Sequence, residues 1–446
     1  MVRKFRMTPA RLLVLGFLAI IATGTILLIL PISSKDGTVT PFMDALFTTV
    51  SASCVTGLIT VDTNAHWSLF GQIVVLLLIQ TGGVGFMTFV FAFLRLAGRK
   101  ISLQSRTVMQ EAVAAPELGG MGKLTGTILV GTLAFEAAGA FALSFAFVPK
   151  IGWEGIWVAV FTSVSAFCNA GFDLLGGRPE FGGEEFISLT PFSGNPVVCL
   201  TVPLLIIIGG LGFFVWHDIR KNRHHVTHYS LHTKLVLVGT LVVVLLPTII
   251  IACAEQYDNW SERIFSSFFT AVTPRTAGFN VLDMGNVRNI TVFLTIALMF
   301  TGGASGSTAG GVKVNTLAVL FLSLFAVVRR KSSVEAFGRR IDEENIKTAA
   351  QFLTAYVIFA VLGVIMISLF EIGGDLTLTE IVFEVASGIG TVGLTLGITP
   401  GLSIGSLIVL AVLMYLGRVG CLTFMLCFRA PSGPEAMLPM DSVRIG

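Results

Sequence analysis

The sequence predicts an all-α integral membrane protein, in which four tandem repeats each carry two spanning helices around a re-entrant half-helix. Three observations support this fold class. The chain has 446 residues, of which 54% are hydrophobic and only 12% are charged, whereas a soluble domain has about 25% charged residues. Apolar runs recur along the whole length, so no stretch of about 100 residues is left for a separate soluble domain. The third observation is an internal repeat.

The first apolar run, LLVLGFLAIIATGTILLIL, follows the basic segment MVRKFRMTPAR. Its length of about 19 residues suits a spanning helix rather than a signal peptide. Lysine and arginine residues recur in clusters between pairs of long apolar segments, and acidic residues occupy the connections in between. By the positive-inside bias, the basic segments and both termini are predicted to be cytoplasmic, in a multi-pass protein of the cell membrane. The clusters comprise Arg3, Lys4, Arg6 and Arg11; Arg95, Arg99, Lys100, Arg106 and Lys123; Arg220, Lys221, Arg223 and Lys234; Arg329, Arg330, Lys331, Arg339, Arg340 and Lys347; and Arg429 and Arg444.

The internal repeat lies in four short segments, SASCVTGLI, SAFCNAGFD, TPRTAGFNV and SGIGTVGLT. They align on one glycine each, with a phenylalanine ten residues before every glycine. Six residues before the glycine stands a serine, except in the third segment, which has valine. The repeats are predicted to span residues 1–110, 111–228, 229–340 and 341–446. The aligned residues are Gly57, Gly171, Gly278 and Gly393; Phe47, Phe161, Phe268 and Phe383; and Ser51, Ser165, Val272 and Ser387.

Each short segment has about 12 to 15 residues of helical character, or roughly 20 Å. Such a helix does not cross a hydrocarbon core of about 30 Å and must return to the side it entered. Non-helical backbone at this depth is tolerated only where protein buries it or where it lines water. Eight transmembrane helices and four re-entrant half-helices around one central pore would set four loops with their carbonyls facing one another, as in a cation-selective filter. Any one of the glycines alone would fit an ordinary tight turn, but four in register favour the filter.

The loop sequences VTGLI, NAGFD, TAGFN and TVGLT resemble degenerate forms of the TVGYG filter of potassium channels. A single chain with four of them resembles the Trk, Ktr and HKT superfamily of potassium transporters, and its length is similar to that of a KtrB-type membrane subunit. The resemblance implies potassium as the transported ion and no cofactor in this chain, and it leaves sodium open as an activator. The implied filter residues are Val55, Thr56, Gly57, Asn169, Ala170, Gly171, Thr276, Ala277, Gly278, Thr391, Val392 and Gly393. The implied potassium ligands are the backbone carbonyls of Val55, Thr56, Asn169, Ala170, Thr276, Ala277, Thr391 and Val392.

Residues around the predicted filter could have either structural or ion-binding roles. Each loop has one glycine where the channel motif has two, so we expect a shorter and less regular filter. Thr56, Thr276 and Thr391 could add hydroxyl oxygens at its inner edge, or act as caps and packing residues. Asp44 and Glu380 stand at the outer start of a half-helix, where an acid is favourable by about 0.3 to 1 kcal/mol. We favour that effect over an ion-attracting vestibule.

The stretch TGGASGSTAGGVKVNT interrupts a strongly apolar segment of the third repeat. As helices, residues 287–301 and 317–328 would cover about 22 Å and 18 Å, so neither spans the membrane alone. A polar break at mid-membrane must line water or be buried, and this one is predicted to obstruct the pore below the filter. It lacks the G-K-[ST] ending of a phosphate-binding loop, which argues against nucleotide binding. The gate loop is predicted to span residues 302–316 of the third repeat. The predicted gate residues are Gly302, Gly303, Ala304, Ser305, Gly306, Ser307, Thr308, Ala309, Gly310, Gly311, Lys313 and Arg418.

Two cations strengthen the gate prediction. Lys313 lies in the loop, and Arg418 replaces the second glycine of the marks TGGVGF and IGGLGF, whose paired glycines are expected to let helices approach closely. A lone cation at mid-membrane costs about 2.5 to 3.5 kcal/mol and normally faces a cavity or a partner. Facing the pore, Arg418 would act as an electrostatic barrier. Alternatively, Arg418 donates to loop carbonyls or pairs with a carboxylate such as Glu136 or Glu384.

Three classes of function compete on these grounds. Each repeat begins and ends in the cytoplasm, so the repeats are parallel, which favours a gated potassium pathway over a sodium-coupled or alternating-access secondary transporter built from inverted repeats. A membrane enzyme would need paired catalytic carboxylates or a metal site. The histidine cluster lies in a basic loop and is expected to be a solvated surface, so no enzyme activity is predicted. The cluster consists of His224, His225, His228 and His232.

The resemblance also implies partners besides membrane lipid. Ktr membrane subunits are homodimers on a cytosolic ring of nucleotide-binding regulatory subunits, and a C-terminal tail, here MLPMDSVRIG, helps the dimer contact. No nucleic acid is expected as a partner. The charged loop at residues 329–347 follows the gate-bearing helix and would transmit force from the cytosolic partner, or it is a solvated connector.

Overall fold

The structure is a computed structural model, which describes residues 9–85, 88, 121–223 and 225–427. Several sequence-based predictions concern residues outside these ranges, namely the basic residues before Pro9, those from Arg95 to Arg106, His224, Arg429, the repeat boundary after residue 110, and the tail MLPMDSVRIG with its Arg444. The described helices are, in chain order, α1 (Pro9–Ile29), α2 (Phe42–Cys54), α3 (Thr63–His66), α4 (Leu69–Val84), α5 (Met121–Ile151), α6 (Glu154–Cys168), α7 (Pro196–Gly210), α8 (Phe213–Asn222), α9 (Leu231–Ala254), α10 (Trp260–Val272), α11 (Asn289–Met299), α12 (Val314–Val328), α13 (Glu343–Phe370), α14 (Leu378–Gly390), α15 (Ile404–Val419) and α16 (Cys421–Cys427). Two short strands, β1 (Glu335–Ala336) and β2 (Arg339–Arg340), form an antiparallel hairpin between α12 and α13.

Each unit begins with one long helix, which is α1, α5, α9 or α13. These four helices carry the described segments that are long and apolar enough to cross a membrane: Ala10–Ile29, Thr125–Ile151, Leu231–Ala254 and Glu343–Phe370. Only 22–33% of the most apolar stretch of each is buried inside the protein. Since a helix that is apolar on all sides needs an apolar surround, the remaining surface suits lipid contact. The predicted all-α membrane fold is confirmed.

The half-helices α2, α6, α10 and α14 have 13 or 15 residues, too few to cross a core of about 30 Å. They lie in the interior, where Phe47, Phe161 and Phe383 are fully buried. In the third unit the aligned Phe268 is only partly buried, and its neighbour Phe269 is fully buried instead. The half-helix α10 is therefore shifted by one residue relative to the sequence alignment.

The second helices of the units are shorter than the first. The helices α4, α7, α11 and α15 have 11 to 16 residues, and each ends within or just before the glycine mark of its unit. The backbone leaves the helix at Gly85, Gly212 and Gly420 with φ of 87°, 91° and 94°, and α8 is bent by 91° from α7. The sequence predicted a break in the third unit alone, whereas the second helices of the first, second and fourth units also end at or just before the last glycine of their marks. The positive φ at these three glycines is a conformation that side chains resist.

Candidate functional site

The four aligned glycines bring the four loops into a closed ring. Each glycine has a positive φ, between 73° and 99°. A Cβ atom added to any of them would collide with the carbonyl oxygen of the middle residue in the next loop. The loops therefore meet in the order of the chain, and the fourth returns to the first. The added Cβ would lie 2.6 Å from the Ala170 oxygen at Gly57, 2.7 Å from the Ala277 oxygen at Gly171 and 2.6 Å from the Val392 oxygen at Gly278, and at Gly393 it would collide with the Thr56 oxygen.

The first residue of each loop turns the chain out of its half-helix. Val55, Asn169, Thr276 and Thr391 all adopt the left-handed region, with φ of 59°, 59°, 72° and 52°. This conformation costs about 1 to 2 kcal/mol per L-residue, and asparagine tolerates it better than valine or threonine. Such a backbone persists only where the surroundings enforce it.

Serine hydroxyls supply part of that enforcement, and this role was missed in the sequence. Ser51 and Ser387 accept hydrogen bonds from the amides of Gly57 and Gly393, each at 3.0 Å. Ser165 accepts one from the amide of Phe172, also at 3.0 Å. The aligned serine six residues before each glycine is thus a brace for the loop.

In the third unit the bracing hydroxyl comes from Thr273, one residue after the position that the alignment matched to the serines. Thr273, rather than Val272, donates its hydroxyl to the carbonyl oxygen of Phe279 at 2.6 Å. The amide of Ala277 also bonds to the Thr273 carbonyl at 3.0 Å, whereas the serine carbonyl accepts this bond in the other units. The one-residue shift of α10 therefore continues into its loop.

Two of the three threonine hydroxyls expected at the filter lack a protein partner. Within the described part of the chain, Thr56 Oγ1 and Thr391 Oγ1 are buried without a hydrogen bond, whereas Thr276 Oγ1 accepts from Asn169 Nδ2 at 3.2 Å. Buried polar atoms in proteins are nearly always paired, with an ion or water if not with protein. These two hydroxyls fit the prediction of added oxygen ligands.

The glycine-rich stretch of the third unit is a compact loop directly below the ring. It folds back on itself through bonds from Gly302 N to Val312 O (2.8 Å) and from Val314 N to Gly303 O (3.0 Å). A Cβ atom on Gly310 would collide with Thr391 Oγ1, so the loop touches the filter of the fourth unit. Residues 301–313, which are predicted to form the gate, are called the gating loop below.

The gating loop is also bonded to the helix break of the second unit. Its Ala304 amide donates to the Gly210 carbonyl at 2.8 Å, and the Phe213 amide donates to the Gly306 carbonyl at 2.9 Å. The loop therefore lies between the broken second helices of the second and third units.

Both predicted gate cations bind backbone carbonyls. Lys313 Nζ donates to the carbonyls of Ala309 and Gly310 at 2.6 and 3.1 Å. Arg418 donates to the carbonyls of Thr308, in the gating loop, and of Gly82 in α4. A third bond joins the guanidinium to the next carbonyl in α4, at 3.0 Å. Below them lies a cavity of about 320 Å³ bordered by both cations.

The two candidate carboxylate partners of Arg418 have other contacts. Glu136 accepts from Gln80 Nε2 at 3.2 Å, and Glu384 accepts from the hydroxyls of Thr395, at 2.9 Å, and Thr399. Of the two structural alternatives for Arg418, the described residues show its side chain on backbone carbonyls of the loop and of α4, and no carboxylate among them pairs with it.

The close approach expected of the paired glycines is confirmed. A Cβ atom on Gly82 would collide with the Ser53 carbonyl, and one on Gly209 with the Phe167 carbonyl. Both acceptors lie in the last turn of a half-helix, so the second helices pack directly beneath the filter loops.

The two acidic residues at the outer ends of the half-helices, Asp44 and Glu380, differ in their hydrogen bonds. Glu380 forms a capping box with Thr377, in which its carboxylate accepts from the Thr377 amide at 2.7 Å. Asp44 lies in the first turn of α2, which has no side-chain cap. For Glu380 the contacts fit the helix-stabilising interpretation.

A buried arginine beside the third loop was missed in the sequence. Arg275, just before the third loop, is 3% exposed, and its Nη2 contacts Thr240 Oγ1 at 3.4 Å. Its Nε has no hydrogen-bond partner among the described residues. A charged residue inside the aligned segment TPRTAGFNV was the signal that could have revealed it.

Four re-entrant segments meeting in a ring, over a loop inside the membrane-spanning bundle, define a multi-pass membrane transport protein. The chain belongs to the TrkH family of cation transport proteins, whose profile matches residues 7–436. It is 40% identical to the potassium/sodium uptake protein NtpJ of Enterococcus hirae, over 100% of this chain and 98% of that one. It is 39% identical to the Ktr system potassium uptake protein B of Bacillus subtilis, with the same coverage.

The fold is also that of a solved structure. The crystal structure of the potassium transporter TrkH from Vibrio parahaemolyticus aligns with a TM-score of 0.74 and 18% identity, covering 96% of this chain and 86% of that one. The predicted family and the absence of enzyme activity are confirmed by these relationships, since the relatives are named as transporters. The comparisons do not test the assignment of individual filter and gate residues, which stays a prediction.

Proposed function

We propose that this chain is the potassium-translocating subunit of a potassium uptake system. The observation that carries the proposal is the closed ring, in which each glycine touches a carbonyl of the next loop. Backbone carbonyls around one axis can replace the hydration shell of a potassium ion, and the ring itself contains no carboxylate that would select by charge. The names of two relatives, which specify potassium uptake, support the choice of ion.

The gating loop is proposed to close this pathway on its cytoplasmic side. It lies against the filter at Thr391 and is tied to the surrounding helices through Arg418 and Gly210. Because the loop forms no helix of its own, it can move without unwinding a spanning segment. Its displacement toward the cavity below would open the path.

A cytosolic regulatory subunit with a nucleotide-binding ring is the proposed source of that movement, acting on a homodimer of this chain whose termini face the cytoplasm. The hairpin β1–β2 supports the lever interpretation of the charged loop. Val334 and Ile341, which flank the strands, are buried with Ala326 at the end of α12. Since α12 begins just after the gating loop, a push on the hairpin reaches the gate through one helix.

The proposal is tested by potassium and sodium flux through purified protein in liposomes. Gly393→Ser places a side chain against the ring and should lower the potassium preference, whereas deletion of residues 305–312 should raise flux. Gly401→Ser is the matched control, because nothing lies within 4 Å of its added Cβ, and it should leave both quantities unchanged.

Two outcomes would reject the assignments. An unchanged ion preference in Gly393→Ser would reduce the glycine to a turn. Loss of transport on deletion of the loop would assign the stretch to the binding site of a sodium-coupled or alternating-access transporter, the alternative mechanism.

A further inference from the structure

Arg275 carries a buried positive charge directly before the third loop of the ring. The side chain is 3% exposed, and an arginine stays protonated inside a protein. Its Nη2 lies 3.4 Å from Thr240 Oγ1 in α9, and its Nε has no hydrogen-bond partner among the described residues. The ion pairs of the described part of the chain do not include it. The described residues therefore leave this charge without a counter-charge.

The aligned positions of the other units carry no charge. The residue three before the ring glycine is Cys54 in the first unit, Cys168 in the second and Gly390 in the fourth. All three are buried, as Arg275 is. A position that is interior in every unit does not need an arginine for packing. Because a cation inside the membrane-spanning bundle is costly, its presence in one unit alone points to a role.

The half-helices turn their negative ends toward the ring. The helices α2, α6 and α14 end directly before their loops, and α10 ends three residues earlier. The C-terminus of a helix is equivalent to about half a negative elementary charge, which favours a cation in the ring. Arg275 lies at this end of α10, where its amide donates to the Val272 carbonyl at 3.1 Å. One full positive charge outweighs the half charge of α10, so the third unit repels cations where the other units attract them.

We propose that Arg275 is an affinity-determining residue, whose fixed charge weakens the binding of cations in the ring so that they can leave it. A conducting pathway needs binding that is favourable enough for entry and weak enough for release. The charge acts through space, and the described hydrogen bond of its side chain goes to α9 rather than to the gating loop. It acts alike on potassium and sodium, because both ions carry one charge. This inference rests on the proposed function.

The test is potassium binding to the purified full-length protein in detergent, measured by titration calorimetry at constant ionic strength with choline as the replacing cation. Because the gating loop lies below the ring, ions reach the ring from the outer side whether or not the loop is seated. Arg275→Gln removes the charge. For a guanidinium roughly 10 to 15 Å from the ion, an effective dielectric constant of about 20 predicts that the Kd falls by about 6- to 16-fold. Arg275→Lys keeps the charge and should bind potassium as wild type does.

A second pair of variants leaves Arg275 in place. Thr240→Asp sets a carboxylate beside the guanidinium, at the position where the threonine hydroxyl now lies 3.4 Å from Nη2. This counter-charge should tighten potassium binding in the same direction as Arg275→Gln. Thr240→Asn is the matched control, because asparagine has the shape of aspartate without its charge, and it should leave the Kd unchanged. Thermal unfolding of each variant identifies the folded proteins, and the Thr240 pair decides the question even if Arg275→Gln does not fold.

Sodium binding separates the effect of charge from an effect on the shape of the ring. In Arg275→Gln the Kd values of potassium and sodium should fall by the same factor, so their ratio stays as in wild type. A changed ratio would show that Arg275 shapes the third loop, and it would overturn the inference. Unchanged potassium binding in both folded Arg275→Gln and folded Thr240→Asp would overturn it as well.

Failure of this inference is distinct from failure of the proposed function. If Gly393→Ser changes the ion preference while the charge variants leave binding unchanged, the ring stands as the filter and Arg275 only stabilises the end of α10. If wild-type protein binds no potassium and Gly393→Ser leaves the ion preference unchanged, the proposed function and the inference fall together.

Discussion

Replacing Arg418 with glutamine tests how firmly the gating loop is held. The guanidinium makes one bond to the loop, at the Thr308 carbonyl, and two to α4. A hydrogen bond from a charged donor contributes about 1.5 to 3 kcal/mol. At about 1.4 kcal/mol per tenfold change, losing the bond to the loop shifts the balance between seated and displaced loop by about 10- to 150-fold. Glutamine also removes a positive charge from below the predicted filter, and the loss of this charge is likewise expected to raise potassium flux.

The assay is the initial rate of potassium uptake into proteoliposomes, with thermal unfolding measured on the same preparations. Arg418→Gln should raise the rate by up to the factor given above, because the seated loop limits flux. Arg418→Lys keeps the charge but presents one donor group where the fork presents two, so its rate should be intermediate. An Arg418→Gln protein that unfolds like wild type yet conducts no faster would show that the loop is not held by this side chain.

Three further results are expected. Gly278→Ala should abolish potassium preference and destabilise the protein by at least about 1 to 2 kcal/mol for the left-handed backbone alone, measured by flux and thermal unfolding, whereas Gly401→Ala should do neither. Thr399→Val removes a donor from the fully buried Glu384 and should lower stability by about 1 to 3 kcal/mol, and an unchanged unfolding temperature would contradict this. At the outer end of α14, hydrogen bonds from the amide and hydroxyl of Thr377 lower the pKa of Glu380. The ionised Glu380 therefore stabilises the folded protein at neutral pH, and this stabilisation is lost as the pH falls through the lowered pKa. The difference in unfolding temperature between wild type and Glu380→Ala should accordingly close on acidification.

The repeated units could be predicted because each carries the same physical requirement. A helix too short for the membrane must return, and the return needs a residue that accepts a positive φ. Both requirements leave local marks, a length and a glycine, that recur at a fixed offset. The ring geometry of Gly57 and its three counterparts agrees with that prediction, and the fold of TrkH supports it at the level of the whole chain.

The features that were missed depend on neighbours that are distant in sequence. The partners of Arg418 lie 110 and 336 residues away along the chain, so its contacts with carbonyls could be offered as one alternative but not chosen. The one-residue shift that brings Phe269 and Thr273 into place is invisible in an alignment fixed on Gly278. The glycine marks correctly predicted close helix packing. The same marks also end the helices, and a glycine in the sequence does not show whether it serves packing or ends a helix.

Within the described residues, the proposed gating loop belongs to the third unit, although the ring of loops above it is built from four related units. A pore assembled from four identical subunits would have to supply this loop four times, and four such loops would compete for one position on the axis. Joining the units in a single chain removes that restriction, because each unit can diverge alone. In the proposed function the third unit provides the closure, the fourth supplies Arg418, which binds the loop carbonyl of Thr308, and the second carries Asn169 beside Thr308. If the proposed function is correct, covalent linkage of the four units allows a single segment to close the whole pathway.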